Sequence, residues 1–395
     1  MLTKTDMLTN TDIAELTALR RALHKRPELS GEEQETATFI AAELAKWQPD
    51  QMIQNLGGFG VAAVFDGAAD GPTILFRAEL DGLPIEERSG ADWSSEISGK
   101  GHLCGHDGHM TILLGLARLL SRQRPQSGRV VLMFQPAEEN GSGARAVVTD
   151  PAFAAIAPDW AFAIHNEPGL PFGYVGIKSG VMNCASRGLK ITLQGRTSHA
   201  AEPELAISPV TILPDLLSAL QALGTGGAIT DDFTLSTITH ITVGEPSFGI
   251  TPGTAEIWLT LRASRDDRVN RLQRKAEAIA GKLAQDAAPE KSGAAAIEIS
   301  FATDDDFAAS VNDEAAVQLA QNAMAALSIA YGEQGVPMRA SEDFGAFGWS
   351  AKAAMLCLGP GERHPALHQP DYDFADDLIP IGTRIFARIA SDLLG

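Results

Sequence analysis

Two adjacent acids, Glu138-Glu139, follow the apolar run from Val130 to Phe134. Such a pair can divide labour, one carboxylate ligating a metal ion while its neighbour stays off the ion and takes a proton from water. Other groups suited to metal chemistry stand just past other apolar runs: Glu79 and Asp81 after Thr73 to Arg77, and His165 after Trp160 to Ile164. His102-Leu103-Cys104-Gly105-His106-Asp107-Gly108-His109 opens a helix candidate at Met110 to Arg122, and His364 to His368 follow the run Ala353 to Leu358. Zinc and similar ions take thiolate, imidazole and carboxylate, usually with three protein ligands and an open position in catalytic sites. Cys104, His106, Glu139, His165 and His368 suffice for two ions that share a bridging ligand. Glu138 is then the proton acceptor, and the chemistry implied is hydrolysis. Taken singly, each residue has a plainer reading as a buried thiol, a core histidine or a solvated acid; their joint placement points to a site. Glu79, Asp81 and Asp107 serve equally as ligands, as acids that orient ligands, or as helix caps. His24 and His240 read as structural or surface residues.

These groups need elements that converge. Apolar spacing predicts helices over Ile13 to Leu23 and Thr36 to Trp47, the second restarted by Ser30-Gly31-Glu32-Glu33 in a capping-box pattern. Short apolar runs then alternate with helical stretches, as in a parallel sheet covered on both faces. Ligands of open parallel sheets bind beyond the strands' C-terminal ends, where the acids, His165 and His364 to His368 fall, while the cluster at His102 to His109 opens a helix. From about Arg187 to Asp304 the rhythm changes to β-α-β-β-α-β, ending in a strand over 296–301. The fold class is therefore α/β, a mostly parallel-sheet catalytic domain made of 1–186 and 305–395 with an inserted α+β domain of split βαβ, ferredoxin-like order at 187–304.

The whole composition narrows the functions. With 395 residues, 45% of them hydrophobic, the chain can bury more than one core. Against 50 Asp+Glu there are 31 Lys+Arg, a formal charge of −19, so nucleic acid and anionic membrane are poor partners. No stretch approaches a spanning helix, and the polar residues 1–12 lack the apolar segment of a signal peptide, which predicts a cytoplasmic protein. Three scattered cysteines make no disulfide framework. Two glycine patterns are decoys: Gly58-Phe59-Gly60 reads as a turn between short strands rather than a dinucleotide loop, and Gly141-Ser142-Gly143 is no nucleophile elbow.

In order along the chain stand RAELDGLPIEE, HLCGHDGHM, VLMFQPAEENGSGA, IHNEPGLPFG, SHAAEP, SEDFGAF and LHQPDYDF. With these the sequence resembles the M20 metallopeptidase family, in the amidohydrolase branch of aminoacylases, hippurate hydrolases and indoleacetyl-amino-acid hydrolases, from about Leu19 to the C-terminus. The resemblance implies a dinuclear site of divalent Zn, Mn, Co or Ni, with Cys104, His106, Glu139, His165 and His368 in the ligand positions and Glu138 in that of the general base. It also implies that His199, on the insert, reaches a neighbouring subunit's substrate across a homodimer, so that the insert serves as dimerisation surface and lid. The activity implied is hydrolysis of an N-acyl amino acid or similar small amide. A dipeptidase of the same fold and a catalytically silent binding protein are the alternatives. Glu79 stands where the branch usually has aspartate, Glu204 where it often has histidine and Gly249 where asparagine is common; the last two belong to the substrate-facing insert and suit a polar or cationic substrate.

Overall fold

Thr73–Glu79 is buried along its whole length, and Arg129–Gln135 and Trp160–Asn166 are buried beyond their first residue. Continuous burial is what a strand covered on both faces requires, and it explains why these segments read as apolar blocks without alternation. In the computed structural model, which describes residues 7–224, 226–287 and 297–395, they form the middle of an eight-stranded sheet. Its strands are β1 (Gln51–Leu56), β2 (Gly60–Asp66), β3 (Thr73–Glu79), β4 (Arg129–Gln135), β5 (Trp160–Asn166), β6 (Val175–Gly176), β7 (Tyr331–Gly332) and β8 (Lys352–Leu358). The spatial order is β1-β2-β4-β3-β5-β8-β6-β7. Four neighbours, β4, β3, β5 and β8, run parallel, with β2 and β6 antiparallel at either side. The expected mostly parallel α/β sheet is therefore present, and Gly58-Phe59-Gly60 lies at the β1–β2 turn.

Helices α1 (Asn10–His24), α2 (Gln34–Ala45) and α3 (His106–Arg122) belong to this part of the chain, as does Leu378–Leu394. One core gathers Phe76, Phe134, Phe162 and Phe386, and a second gathers Val131, Met133, Phe344 and Phe347. Two local expectations need correction. The capping box at Ser30–Glu33 does not form: α2 has Glu33 at its N-cap with no side-chain cap bond. Ser30 Oγ donates instead to Asp81 Oδ2 (2.7 Å) and Glu33 Oε1 accepts from the Ala137 N–H (2.8 Å). And α3 begins at His106 rather than Met110, because Gly105 turns the chain at φ +89° and the histidine cluster becomes the first helical turn.

The chain divides into two compact units, one of the residues up to Met182 with Ser310–Met338 and Glu342–Gly395, the other of Asn183–Ala309 with Arg339–Ser341. The boundaries read at 187 and 304 fall inside strands Ala185–Gln194 and Glu298–Phe307. Residues 1–6 and 296, on which two of the sequence expectations fall, lie outside the described residues. The second unit is an antiparallel sheet in the order Thr234–Val243, Thr254–Ala263, Ala185–Gln194, Glu298–Phe307. Helices Leu213–Gln221 and Asp266–Asp286 complete the β-α-β-β-α-β order. Thr254–Ala263 alternates buried with partly exposed residues, and Leu189, Ile191, Ile257, Leu259, Leu216 and Leu272 share one core, as a sheet covered on one face demands. No helix among the described residues is long and apolar enough to cross a membrane.

Candidate functional site

Because β3, β4 and β5 are parallel, their C-terminal ends share one edge. β3 ends at Glu79 and hands on to Asp81; β4 hands on through Pro136 and Ala137 to Glu138 and Glu139; β5 carries His165 at its end. The turn before α3 brings Cys104 and His106 to the same edge. Its glycine is required twice over: φ at Gly105 is +89°, and a Cβ there would lie 2.4 Å from Asn166 Nδ2 and 2.6 Å from Tyr372 Oη. His368 arrives from the loop after β8 with φ +64°, a left-handed conformation uncommon for histidine.

The six residues singled out from the sequence as ligands and base meet there. Cys104 Sγ is 3.4 Å from His165 Nε2, and Glu139 Oε2 is 3.6 Å from His368 Nε2. His106 Nε2 lies 3.8 Å from Glu139 Oε1 and 3.9 Å from Glu138 Oε2. Cys104, Glu139 and His368 could hold one ion, their ligand atoms lying within 4.8 Å of one another, and His106 shares Glu139 with Glu138 in a second such group. The donors fit a metal in detail. His106 Nδ1 sits 2.9 Å from the Asp81 carbonyl oxygen and His165 Nδ1 sits 2.7 Å from the Asn166 carbonyl oxygen. A carbonyl only accepts, so each Nδ1 carries a hydrogen and each Nε2 is the atom left to present a lone pair to a cation, at His106 once the proton it holds without one has left, the arrangement seen in metal-binding histidines. His106 Nε2 and Glu139 Oε1 are buried with no hydrogen-bond partner, orphans that a cation would satisfy.

Charge says the same. Burial pushes Glu138 well above the usual carboxylate range, reinforced by Glu342, Glu139 and Asp343 and only partly offset by Arg77. Burial lifts Glu139 to about 7 against the opposing His106, and burial with Glu139 and Glu138 pushes the Cys104 thiol well up. For His106, burial works against the charge, but Glu79, Asp81 and Glu139 outweigh it and raise it to about 10. A cluster that collects protons in this way is short of positive charge.

The three ambiguous acids separate. Asp81 orients: Oδ2 accepts from the Glu139 N–H (2.9 Å) and Ser30 Oγ (2.7 Å), and Oδ1 lies 3.4 Å from His106 Nδ1. Glu79 accepts from His109 Nδ1 (2.8 Å) and pairs with Arg77. His109 Nε2 in turn accepts from the Asn166 N–H (3.0 Å), so His109 has no lone pair left for a metal. Asp107 turns to His24 Nδ1 (2.8 Å) and Arg20 Nη1 (3.4 Å). His24, read as structural or surface, is wholly buried and paired with that acid. Arg77, not among the sequence candidates, donates from Nη2 to both Glu342 Oε1 and Asp343 Oδ1 at 2.7 Å beside Glu138. An arginine inside an otherwise apolar strand was the available signal, since such a charge is buried only with partners.

His199, Glu204 and Gly249 belong to the second unit and are exposed. His199 pairs with Ile250 across a two-stranded ribbon, and the Gly249 carbonyl accepts from the Ala200 N–H (3.0 Å). Glu204 lies in the short helical turn Pro203–Leu205.

The pattern of peptidase family M20/M25/M40 matches residues 75–392. N-acetyldiaminopimelate deacetylase of Exiguobacterium sibiricum is 30% identical over 366 residues, covering 92% of this chain and 95% of its own. Hippurate hydrolase of Campylobacter jejuni is 30% identical over 384 residues, 95% of this chain and 96% of its own. Among solved structures, a dinuclear metal-binding peptidase of family M20 from Bacillus subtilis superposes with a TM-score of 0.79 at 26% identity, covering 98% of this chain and 99% of its own.

Proposed function

The chain belongs to peptidase family M20/M25/M40, and from that membership we propose that it hydrolyses the amide bond of an N-acyl amino acid or a similar small conjugate, releasing a carboxylic acid and an amine. It is a metal-dependent amidohydrolase. One juxtaposition carries this: a thiol, three imidazoles and a carboxylate around buried, unpartnered Nε2 and Oε1 atoms, with Glu138 beside them.

Cys104, His106, Glu139, His165 and His368 are the residues that would hold two divalent cations, and this donor set accepts Zn, Mn, Co or Ni. Bound there, the cations would supply the positive charge that polarises the scissile carbonyl and acidifies water. Glu138 takes a proton from the attacking water on a carboxylate oxygen and gives it to the amide nitrogen as that leaves. Asp81 and the Asn166 carbonyl hold the two imidazoles in the required tautomer. His199, offered by one copy to its partner's substrate, donates to the carbonyl oxygen as that gains charge. A homodimer through the second unit is supported by the exposed Phe248, Ile250, Leu205 and Val210 near His199 in the sequence and on its ribbon. Three buried, unpaired cysteines suit a reducing compartment, in keeping with the cytoplasm.

The test is a mass-spectrometric screen of the metal-loaded protein against N-acetyl amino acids, hippurate and dipeptides. Cleavage of N-acylated substrates with little action on free-amine dipeptides is the expected result. Preference for dipeptides would make it a dipeptidase, and no turnover of any with metal bound would overturn the reading.

A further inference from the structure

Tyr372 has no part in the chemistry above, yet it is wholly buried and its hydroxyl ends against the cation-binding edge. That hydroxyl donates to Asn166 Oδ1. Asn166 Nδ2 donates to the Cys104 carbonyl oxygen at 2.7 Å, and the Asn166 carbonyl takes the Nδ1–H of His165 at 2.7 Å. The same residue's backbone N–H reaches His109 Nε2, and His109 continues to Glu79. The chain thus joins the loop of His368, the turn of Cys104 and the end of β5. His368 is four residues before Tyr372, and its own N–H donates to the Leu103 carbonyl (2.8 Å).

We propose that Tyr372 is a positioning residue, which acts through Asn166 to fix the backbone of Cys104 and the ring of His165 for cation binding. Three observations support it. The amide of Asn166 has one orientation in which both ends are satisfied: Oδ1 towards a hydroxyl that can donate, Nδ2 towards a carbonyl that can only accept. The approach is tight enough that Gly105, between Cys104 and His106, has no room for a Cβ against Asn166 and Tyr372. And the Tyr372 ring already packs with Leu83, Leu103 and Cys104, so its hydroxyl is separable from its packing. Without that hydroxyl, Asn166 Oδ1 loses its donor and the amide is held at its Nδ2 end alone, by the Cys104 carbonyl and by His109 Nε2 at 3.2 Å, so the bond that pins the Cys104 carbonyl is less firmly oriented. The inference rests on the dinuclear reading of the site.

The experiment is cobalt(II) titration of the full-length protein after chelation, read by the thiolate-to-cobalt charge-transfer band that reports Cys104 as a ligand. Wild type is expected to show the band. Tyr372→Phe keeps the ring, and is expected to fold normally, to bind cobalt about 10–100-fold more weakly and to show an altered band. Saturating cobalt should restore its turnover with KM unchanged. Because Tyr372 acts through Asn166, Tyr372→Phe in an Asn166→Ala background should cost almost nothing further. Wild-type affinity and band in Tyr372→Phe, or losses that simply add in the double variant, would overturn the role of Tyr372 alone. A wild-type protein that binds cobalt with no thiolate band would overturn both this inference and the dinuclear reading.

Discussion

Cys104 Sγ and His165 Nε2 face each other at 3.4 Å, and they reach that distance from different protonation problems. Burial pushes the thiol up, with Glu139 and Glu138 adding to it; burial, with His109 next, brings His165 down to about 3. Without a cation the pair is a neutral thiol and a neutral imidazole. Cation uptake must therefore expel the thiol proton and requires none to leave His165. Calorimetric zinc titrations in buffers of different ionisation enthalpy should show proton release that falls by about one equivalent in Cys104→Ser, with weaker binding. Equal proton release in the variant would remove Cys104 from the ligand set.

Glu138 faces a different test, because it shares its surroundings with Glu342 and Asp343. Replacing it by glutamine keeps the shape and removes the proton acceptor. Glu138→Gln should retain both metals by elemental analysis and lose about 10²–10⁴-fold in kcat, the usual share of general acid–base catalysis. Near-normal kcat would assign the base elsewhere.

The parallel sheet and the six convergent residues were legible because each strand declares itself by a continuous apolar run, with Glu138, Glu139, His165 and His368 following such runs and Cys104 and His106 in a cluster that opens a helix. What was illegible depends on partners remote in the chain. Ser30 and Glu33 have capping-box spacing, yet their bonds go to Asp81 and Ala137, 51 and 104 residues away. His24 looks unremarkable until Asp107 is set against it. Glu79, one methylene longer than the usual aspartate, looked like a change at the metal; in the fold it is turned to His109 and Arg77. Local spacing reports capping and periodicity, whereas tertiary hydrogen bonds decide which of several polar roles is realised.

Arg77 pairs with Glu79, Glu342 and Asp343, and all four side chains are buried. Removing it takes the guanidinium away from three buried carboxylates, of which Glu79 keeps its bond from His109. Arg77→Met should destabilise the protein by about 3–5 kcal/mol in urea unfolding, the range for breaking a buried ion pair from one side. Arg77→Lys should recover only part, since an ammonium is a point charge and lacks the planar fork that reaches several carboxylates at once. Full stability in Arg77→Met would mean that those acids are neutral in the folded state.

His24 makes the stability of this unit depend on pH. Burial opposes its charge, but Asp107 at 2.8 Å and Glu87 at 3.1 Å prevail and raise it to about 10. In the unfolded chain an imidazole titrates near 6.5. The folded value lies above the unfolded one, so the stabilisation is complete below pH about 6.5 and is lost as pH rises through about 10. Across that window the folded state holds one proton more than the unfolded chain. This group alone therefore lowers stability by up to about 1.4 kcal/mol per pH unit. In urea unfolding at saturating cation between pH 6.5 and 10, His24→Gln should be less stable than wild type at pH 6.5, and the difference between the two should shrink by up to about 1.4 kcal/mol per pH unit. Parallel profiles for the two proteins would mean that His24 is neutral in the folded protein.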